Sequence, residues 1–117
     1  MLFLCYPKCS TCQKAKKWLD EHQISYEDRH IVEQNPTKEE LLAWIRDSGL
    51  PSRKFFNTSG LMYKNLGLKD KLPCMSLEEQ AALLATNGML VKRPILIVNG
   101  RICVGFKADE WKAALHP

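Results

Sequence analysis

Late in the 117-residue chain, Ile95-Leu96-Ile97-Val98 and Arg101-Ile102-Cys103-Val104 flank Asn99-Gly100. Two β-rich runs joined by Asn-Gly predict a hairpin, because a type I′ turn needs positive φ at both central residues. A hairpin alone is marginal in water, so the rest of the chain must supply further strands or a covering layer. At the other end Leu2-Phe3-Leu4-Cys5-Tyr6 is a continuous apolar run stopped by Pro7, the pattern of a buried strand. From Ser10 to about His22, Ala15, Trp18, Leu19 and the tip of His22 recur at helical spacing. Ser25 to Ile31 alternates weakly and reads as a second strand. The intervening helix makes the first two strands parallel, since parallel pairing requires a crossover.

The middle of the chain is helical. Thr37-Lys38-Glu39-Glu40 is a capping box that opens a helix carrying Leu41, Leu42, Trp44 and Ile45, which Gly49 and Pro51 stop. Ser52 to Lys71 is rich in Asn, Ser, Gly and Lys, with a short helix at Met62 to Leu66. A second box, Ser76-Leu77-Glu78-Glu79, starts a helix with Ala81, Leu84 and Ala85, closed by Asn87-Gly88. A last helix turns Ala108, Trp111 and Leu115 inward. A sheet with helices on its faces gives each apolar stripe a partner. The expected fold class is α/β and thioredoxin-like: a mixed four-stranded sheet flanked by helices. A helical insertion at about 37–90 separates the second strand from the C-terminal hairpin, within one domain spanning 1–117.

The 45% hydrophobic and 26% charged residues fit an ordinary folded domain. Seventeen Lys and Arg against 13 Asp and Glu leave +4, a mild excess that suits an anionic ligand or acidic partner. It falls short of a nucleic-acid footprint, so no direct nucleic-acid contact is expected. The longest apolar run, Met1 to Tyr6, is far below the roughly 20 residues that span a bilayer and lacks the basic region of a signal peptide. The expectation is therefore a cytoplasmic monomer without membrane attachment, in a compartment where thiols stay reduced. Five cysteines, an odd number, also argue against a closed disulfide framework.

The chemistry concentrates at Cys9-Ser10-Thr11-Cys12. A structural zinc site needs four ligands, yet no second C-x-x-C exists and His22, His30 and His116 lack ligand spacing. No metal is expected. Buried, inert cysteine is the bland reading; it suits Cys5 and Cys103 in strands and Cys74 after Pro73, but not Cys9 in a polar loop. A helix starting near Ser10 puts Cys9 at its N-cap, where unpaired N–H groups and the dipole favour a thiolate, with Lys8 adding charge. Cys12, one turn on and aligned with Ala15 and Leu19, is shielded. That asymmetry makes Cys9 the attacking thiol and Cys12 the resolving one. A redox-sensing switch would use the same pair. Arg93-Pro94 opens a strand; a cis peptide there would leave the Arg93 backbone available to an extended substrate. Ser10 and Thr11 would present backbone N–H groups, and Arg93 and Pro94 would line the substrate groove. Lys14, Lys16 and Lys17 read as the wet face of the first helix, and Trp18, Trp44 and Trp111 as core.

Pro7-Lys8-Cys9-Ser10-Thr11-Cys12-Gln13-Lys14-Ala15, Asn57-Thr58-Ser59-Gly60, Tyr63-Lys64-Asn65-Leu66 and Lys92-Arg93-Pro94-Ile95 together resemble the ArsC/Spx family of thioredoxin-fold proteins. The likeness is greatest to its small Spx- and YusI-like members. The resemblance implies the fold above, a cis Pro94, a nucleophile at Cys9 and a functional Arg93. Arsenate reductases linked to glutathione and glutaredoxin resemble the chain at Cys9 and Arg93. They look to carry two more arginines, where this chain has Asn57 and the Val104-Gly105-Phe106-Lys107 stretch. Asn57 supplies no charge for an oxyanion and Lys107 only a flexible one. Those reductases also generally lack a cysteine at the Cys12 position. Spx-type regulators share Cys9, Cys12 and Arg93, use the disulfide as a switch and bind the α subunit of RNA polymerase. They generally continue past the last helix, an expectation against the regulator for a chain read to His116-Pro117. The leading expectation is a thiol–disulfide redox protein acting on a protein or small-molecule thiol or disulfide. It needs no bound cofactor, and glutathione or glutaredoxin would serve as reductant.

Overall fold

The structure, a computed structural model, describes residues 1–115. His116, weighed above as a metal ligand, and Pro117 lie outside the described residues. The elements run β1 (Leu2–Cys5), α1 (Ser10–Glu21), β2 (Glu27–His30), α2 (Lys38–Ser48), α3 (Leu61–Asn65), α4 (Leu68–Lys71), α5 (Leu77–Leu84), β3 (Ile95–Val98), β4 (Arg101–Val104) and α6 (Ala108–Leu115). Short 3₁₀ turns fall at Ser52–Phe55, Leu72–Cys74 and Gly88–Leu90. The chain divides into two compact units, Met1–His30 with Arg93 onward, and Ile31–Lys92.

The first unit contains the sheet, in the order β2-β1-β3-β4. β1 and β2 run parallel, with Leu2 opposite Glu27 and Cys5 opposite His30, as the α1 crossover demands. β1 and β3 are antiparallel, as are β3 and β4. Asn99 and Gly100 have φ of 51° and 75°, the turn that the hairpin motif requires. The Asn99 side-chain amide also donates to the Ala114 carbonyl at 3.2 Å, tying the turn to α6. This mixed four-stranded sheet, covered by α1 and α6, is the thioredoxin-like architecture.

One core joins Phe3, Cys5, Leu96, Val98 and Cys103 from the sheet, Cys12, Ala15 and Leu19 from α1, and Trp111 and Ala114 from α6. Trp111 is wholly buried, edge-on to Phe3, Trp18 and Phe106, and its indole N–H donates to the Gly105 carbonyl at 3.1 Å. Buried indoles need such a partner for their one donor.

Several local expectations are corrected. The second strand is shorter than Ser25–Ile31: Glu27 and Asp28 on this sheet edge are exposed, and Ile31 is buried beyond the strand end. Ala108 opens α6 and is exposed; Ala114 takes the inward place beside Trp111. Trp18 and Trp44 are half-buried rather than core. Cys74 is exposed, because the 3₁₀ turn at Leu72–Cys74 turns Leu72 inward instead.

The second unit carries both expected capping boxes, Thr37 with Glu40 and Ser76 with Glu79, each with the two reciprocal hydrogen bonds. α2 ends at Gly49 in the left-handed region, φ 68°. Leu41, Ile45, Ala81 and Leu84 are buried where α2 and α5 pack together. α5 stops at Leu84, before Asn87-Gly88, and the Asn87 side chain instead caps the following 3₁₀ turn. Phe56 bridges Val91, flanked by Asn57 N–H to the Leu90 carbonyl at 2.7 Å and Lys92 N–H to the Phe55 carbonyl at 2.8 Å. No helix among the described residues is long and apolar enough to cross a membrane.

Candidate functional site

The site is built where β1 hands over to α1. Tyr6 ends the apolar run, Pro7 and Lys8 turn, and the Cys9 N–H returns to the Tyr6 carbonyl at 2.9 Å. The Cys9 backbone is extended (φ −84°, ψ 125°) while its carbonyl accepts from Gln13 N–H at 3.0 Å, which makes it the N-cap of α1. The Gln13 side chain donates back to the Pro7 carbonyl at 3.0 Å and secures the turn.

Cys9 is partly buried, whereas Cys12 is only 2% exposed, and both are free thiols. Burial acts on Cys9 most strongly and would raise its pKa. The Cys12 backbone N–H, the Cys12 thiol, the Thr11 N–H and the Arg93 guanidinium oppose it, and the net effect is a pKa below that of an ordinary cysteine. The neutral Cys9 thiol makes no capping hydrogen bond of ordinary length, so these donors favour the ionised form above all. Cys12 goes the other way. Burial pushes its thiol up to about 12; the Tyr6 N–H bond opposes this, and the neighbouring Cys9 adds to it. That N–H donates to Cys12 Sγ at 3.4 Å.

The Arg93-Pro94 peptide is cis. Pro94 is buried, and its carbonyl accepts from Gly105 N–H at 2.8 Å, which fixes the start of β3 against the end of β4. The Arg93 guanidinium carbon lies 5.3 Å from the Tyr6 ring centre, a cation–π arrangement. Cys9, Thr11, Cys12 and Arg93 are thus gathered at one place. Ser10 and Thr11 have exposed side chains, and the N–H groups directed at Cys9 are those of Thr11 and Cys12.

Tyr6 was not among the residues singled out from the sequence. It touches Arg93 through its ring, Cys12 through its N–H and His30 edge-on at 5.8 Å. The available signal was an aromatic at the strand end, three residues before Cys9. Asp28 was also missed: it accepts from the Cys5 thiol at 3.4 Å and pairs with Lys16 at 3.3 Å. Burial first and then Asp28 push Cys5 up to about 12. Among the described residues, no three His, Cys, Asp or Glu side chains gather as a metal site. His22 stacks on Trp18 at 4.1 Å. Lys107 forms an exposed pair with Glu110 at 3.8 Å, and Asn57 belongs to the second unit.

A thioredoxin-like fold with a C-x-x-C dithiol at the first helix N-cap and an adjoining Arg–cis-Pro defines the class. The profile of the ArsC family matches residues 4–114, and the chain belongs to that family. The protein YusI of Bacillus subtilis strain 168 is 53% identical over 96% of this chain and 95% of its own. A global transcriptional regulator Spx of Streptococcus agalactiae is 33% identical over 93% of this chain and 78% of its own. Among solved structures, an ArsC family related protein from Bacteroides fragilis is 63% identical, with a TM-score of 0.93 over 97% of this chain and 95% of that one. An arsenate reductase from Vibrio cholerae is 26% identical, with a TM-score of 0.79 over 99% and 97%.

Proposed function

We propose that this chain is a thiol–disulfide redox protein in which Cys9 attacks and Cys12 resolves. The observation that carries the reading is the unequal placement of the two thiols: Cys9 half-buried at the N-cap of α1, Cys12 2% exposed in the core. The Cys9 thiolate attacks one sulfur of a substrate disulfide; a Cys9–substrate bond forms and the other substrate sulfur leaves as a thiolate. Cys12 then gives its proton to the departed substrate thiolate and attacks Cys9 Sγ, which closes a Cys9–Cys12 disulfide and expels the second substrate thiolate. Two electrons pass to the substrate. A glutathione- or glutaredoxin-class thiol returns the pair to the dithiol. Arg93 holds the Cys9 charge, and Arg93 with cis-Pro94 lines the substrate side. In a Cys12→Ser variant the second step is blocked, so mixed disulfides accumulate on Cys9 and mass spectrometry identifies the substrates. If Cys9 captures no more than Cys103 does, the reading fails.

A regulatory use of the same pair is supported by the 33% identity to Spx over most of this chain. It predicts redox-dependent retention of the RNA polymerase α subunit in a pulldown, and loss of retention in both redox states removes it. Arsenate reduction draws on Cys9, on Arg93 and on the likeness to a solved arsenate reductase. It is the weaker reading, because Asn57 brings no charge to an oxyanion. A glutathione- and glutaredoxin-coupled assay that yields no arsenite excludes it.

A further inference from the structure

A cavity of about 400 Å³ lies wholly within the second unit, with Tyr63, Leu72, Met75 and Gln80 on its wall and Arg53 and Lys69 beside them. That volume is in the range of small-molecule sites. Gln80 is unusual there: it is a polar side chain only 8% exposed. Its amide N–H groups donate to the Met75 carbonyl at 3.1 Å and the Leu72 carbonyl at 3.4 Å. With both donors spent, the amide is locked in one orientation. Its buried oxygen, Oε1, has no hydrogen-bond partner. Through its two donors Gln80 braces the Leu72 and Met75 backbone that forms the cavity wall.

The remaining lining specifies the ligand. Neither Arg53 nor Lys69 forms an ion pair among the described residues, and no carboxylate is among the residues that line the cavity. Tyr63, only 7% exposed, stands on the same wall. Leu72, Met75, Pro51 and Pro73 supply an apolar surface.

We infer that this cavity is a binding site for a small amphipathic organic anion. The apolar body lies on Leu72 and Met75, and the anionic group lies between Arg53 and Lys69. None of these residues belongs to the Cys9 cluster, so the inference stands apart from the redox reading.

The probe is 8-anilinonaphthalene-1-sulfonate, which combines an apolar body and one anionic group. The ¹⁵N-labelled reduced protein is titrated with it and followed by heteronuclear correlation spectra. Saturable 1:1 shifts are expected at Arg53, Tyr63 and Lys69 and at the Gln80 side-chain amide. The neutral analogue N-phenyl-1-naphthylamine should bind at least tenfold more weakly. Arg53→Glu and Lys69→Glu alter exposed positions, and each, once its spectrum shows the native dispersion, should weaken the sulfonate at least tenfold. Shifts scattered over the surface, no saturation at millimolar probe, or equal binding by the neutral analogue and the charge-reversed variants would overturn the site.

Discussion

The backbone N–H of Tyr6 points at Cys12 Sγ, 3.4 Å away, so the most buried thiol of the site has a donor built in before it ionises. Burial still wins and holds Cys12 neutral. The bond gains strength only when Cys12 becomes a thiolate, since hydrogen bonds to charged groups are roughly twice as strong as neutral ones. Cys9 and Cys12 are therefore graded: one thiol ionises easily, and the other is held back yet has a partner for its charge.

The grading predicts reactivity. Iodoacetamide should alkylate Cys9 ahead of Cys12, Cys5 and Cys103, with an apparent pKa below that of a free cysteine near 8.5. Arg93→Gln removes a donor to the thiolate and should raise that apparent pKa, and Arg93→Lys should restore part of the shift. Peptide-resolved alkylation rates from pH 5 to 9 measure both effects. If Arg93→Gln leaves the Cys9 profile unchanged, the guanidinium is not holding the thiolate.

The N-cap position carries a stability cost as well. Serine is a preferred N-cap, whereas the neutral Cys9 thiol makes no capping bond. Cys9→Ser should stabilise the reduced protein at pH 5 by about 1 kcal/mol while abolishing disulfide exchange. A depressed folded pKa contributes stability that is present above the unfolded value and is lost as pH falls through the folded one. The wild type therefore gains on the variant as pH rises, and the serine advantage should shrink toward pH 9. Urea midpoints at both pH values test this, and a variant less stable than wild type at pH 5 contradicts it.

The alkaline side has the opposite sign. Cys5 is held neutral up to about 12 by burial and by Asp28, whereas an unfolded cysteine ionises near 8.5. Between those values the folded chain keeps a proton that the unfolded chain has lost, so stability falls as pH rises. Each such thiol contributes a slope of roughly 1.4 kcal/mol per pH unit in that window. Cys5→Ala should be less stable at pH 8, where it leaves a cavity, but should lose stability less steeply between pH 9 and 11. Urea titrations under reducing conditions compare the two slopes. Parallel lines would show that Cys5 does not titrate there.

What the chain disclosed of itself follows from how local each signal is. The Asn99-Gly100 hairpin, the boxes at Thr37 and Ser76 and the Cys9 N-cap each rest on residues within four positions of one another. Their geometry is fixed by neighbours already visible in the sequence. Tyr6 over Arg93 joins residues 87 positions apart (93 − 6), which only the antiparallel pairing of β1 with β3 brings together. Asp28 beneath Cys5 depends in the same way on β1–β2 register. Cys74 misled because its place after Pro73 does not say which way it faces, and it is the turn that decides whether Leu72 or Cys74 faces inward.

Two glycines separate the cost of crowding from the cost of conformation. Gly88 has no positive φ, yet a Cβ there would lie 2.1 Å from the Ile31 carbonyl oxygen and 2.7 Å from its carbon. Both atoms are backbone and cannot step aside as a side chain could. Gly49 is the reverse: φ is 68°, in the left-handed region, but a Cβ would meet nothing within 4 Å. Gly49→Ala should therefore cost about 1 kcal/mol, the left-handed penalty alone. Gly88→Ala must separate Ile31 from the Gly88–Leu90 turn and should cost about 3 kcal/mol, the upper range for overpacking. At roughly 4 °C per kcal/mol for a chain of this size, the melting temperatures should fall by about 4 °C and about 12 °C. Thermal melts of the two variants read the difference directly. If Gly88→Ala melts no lower than Gly49→Ala, the close approach of residue 88 to Ile31 is not what holds that turn.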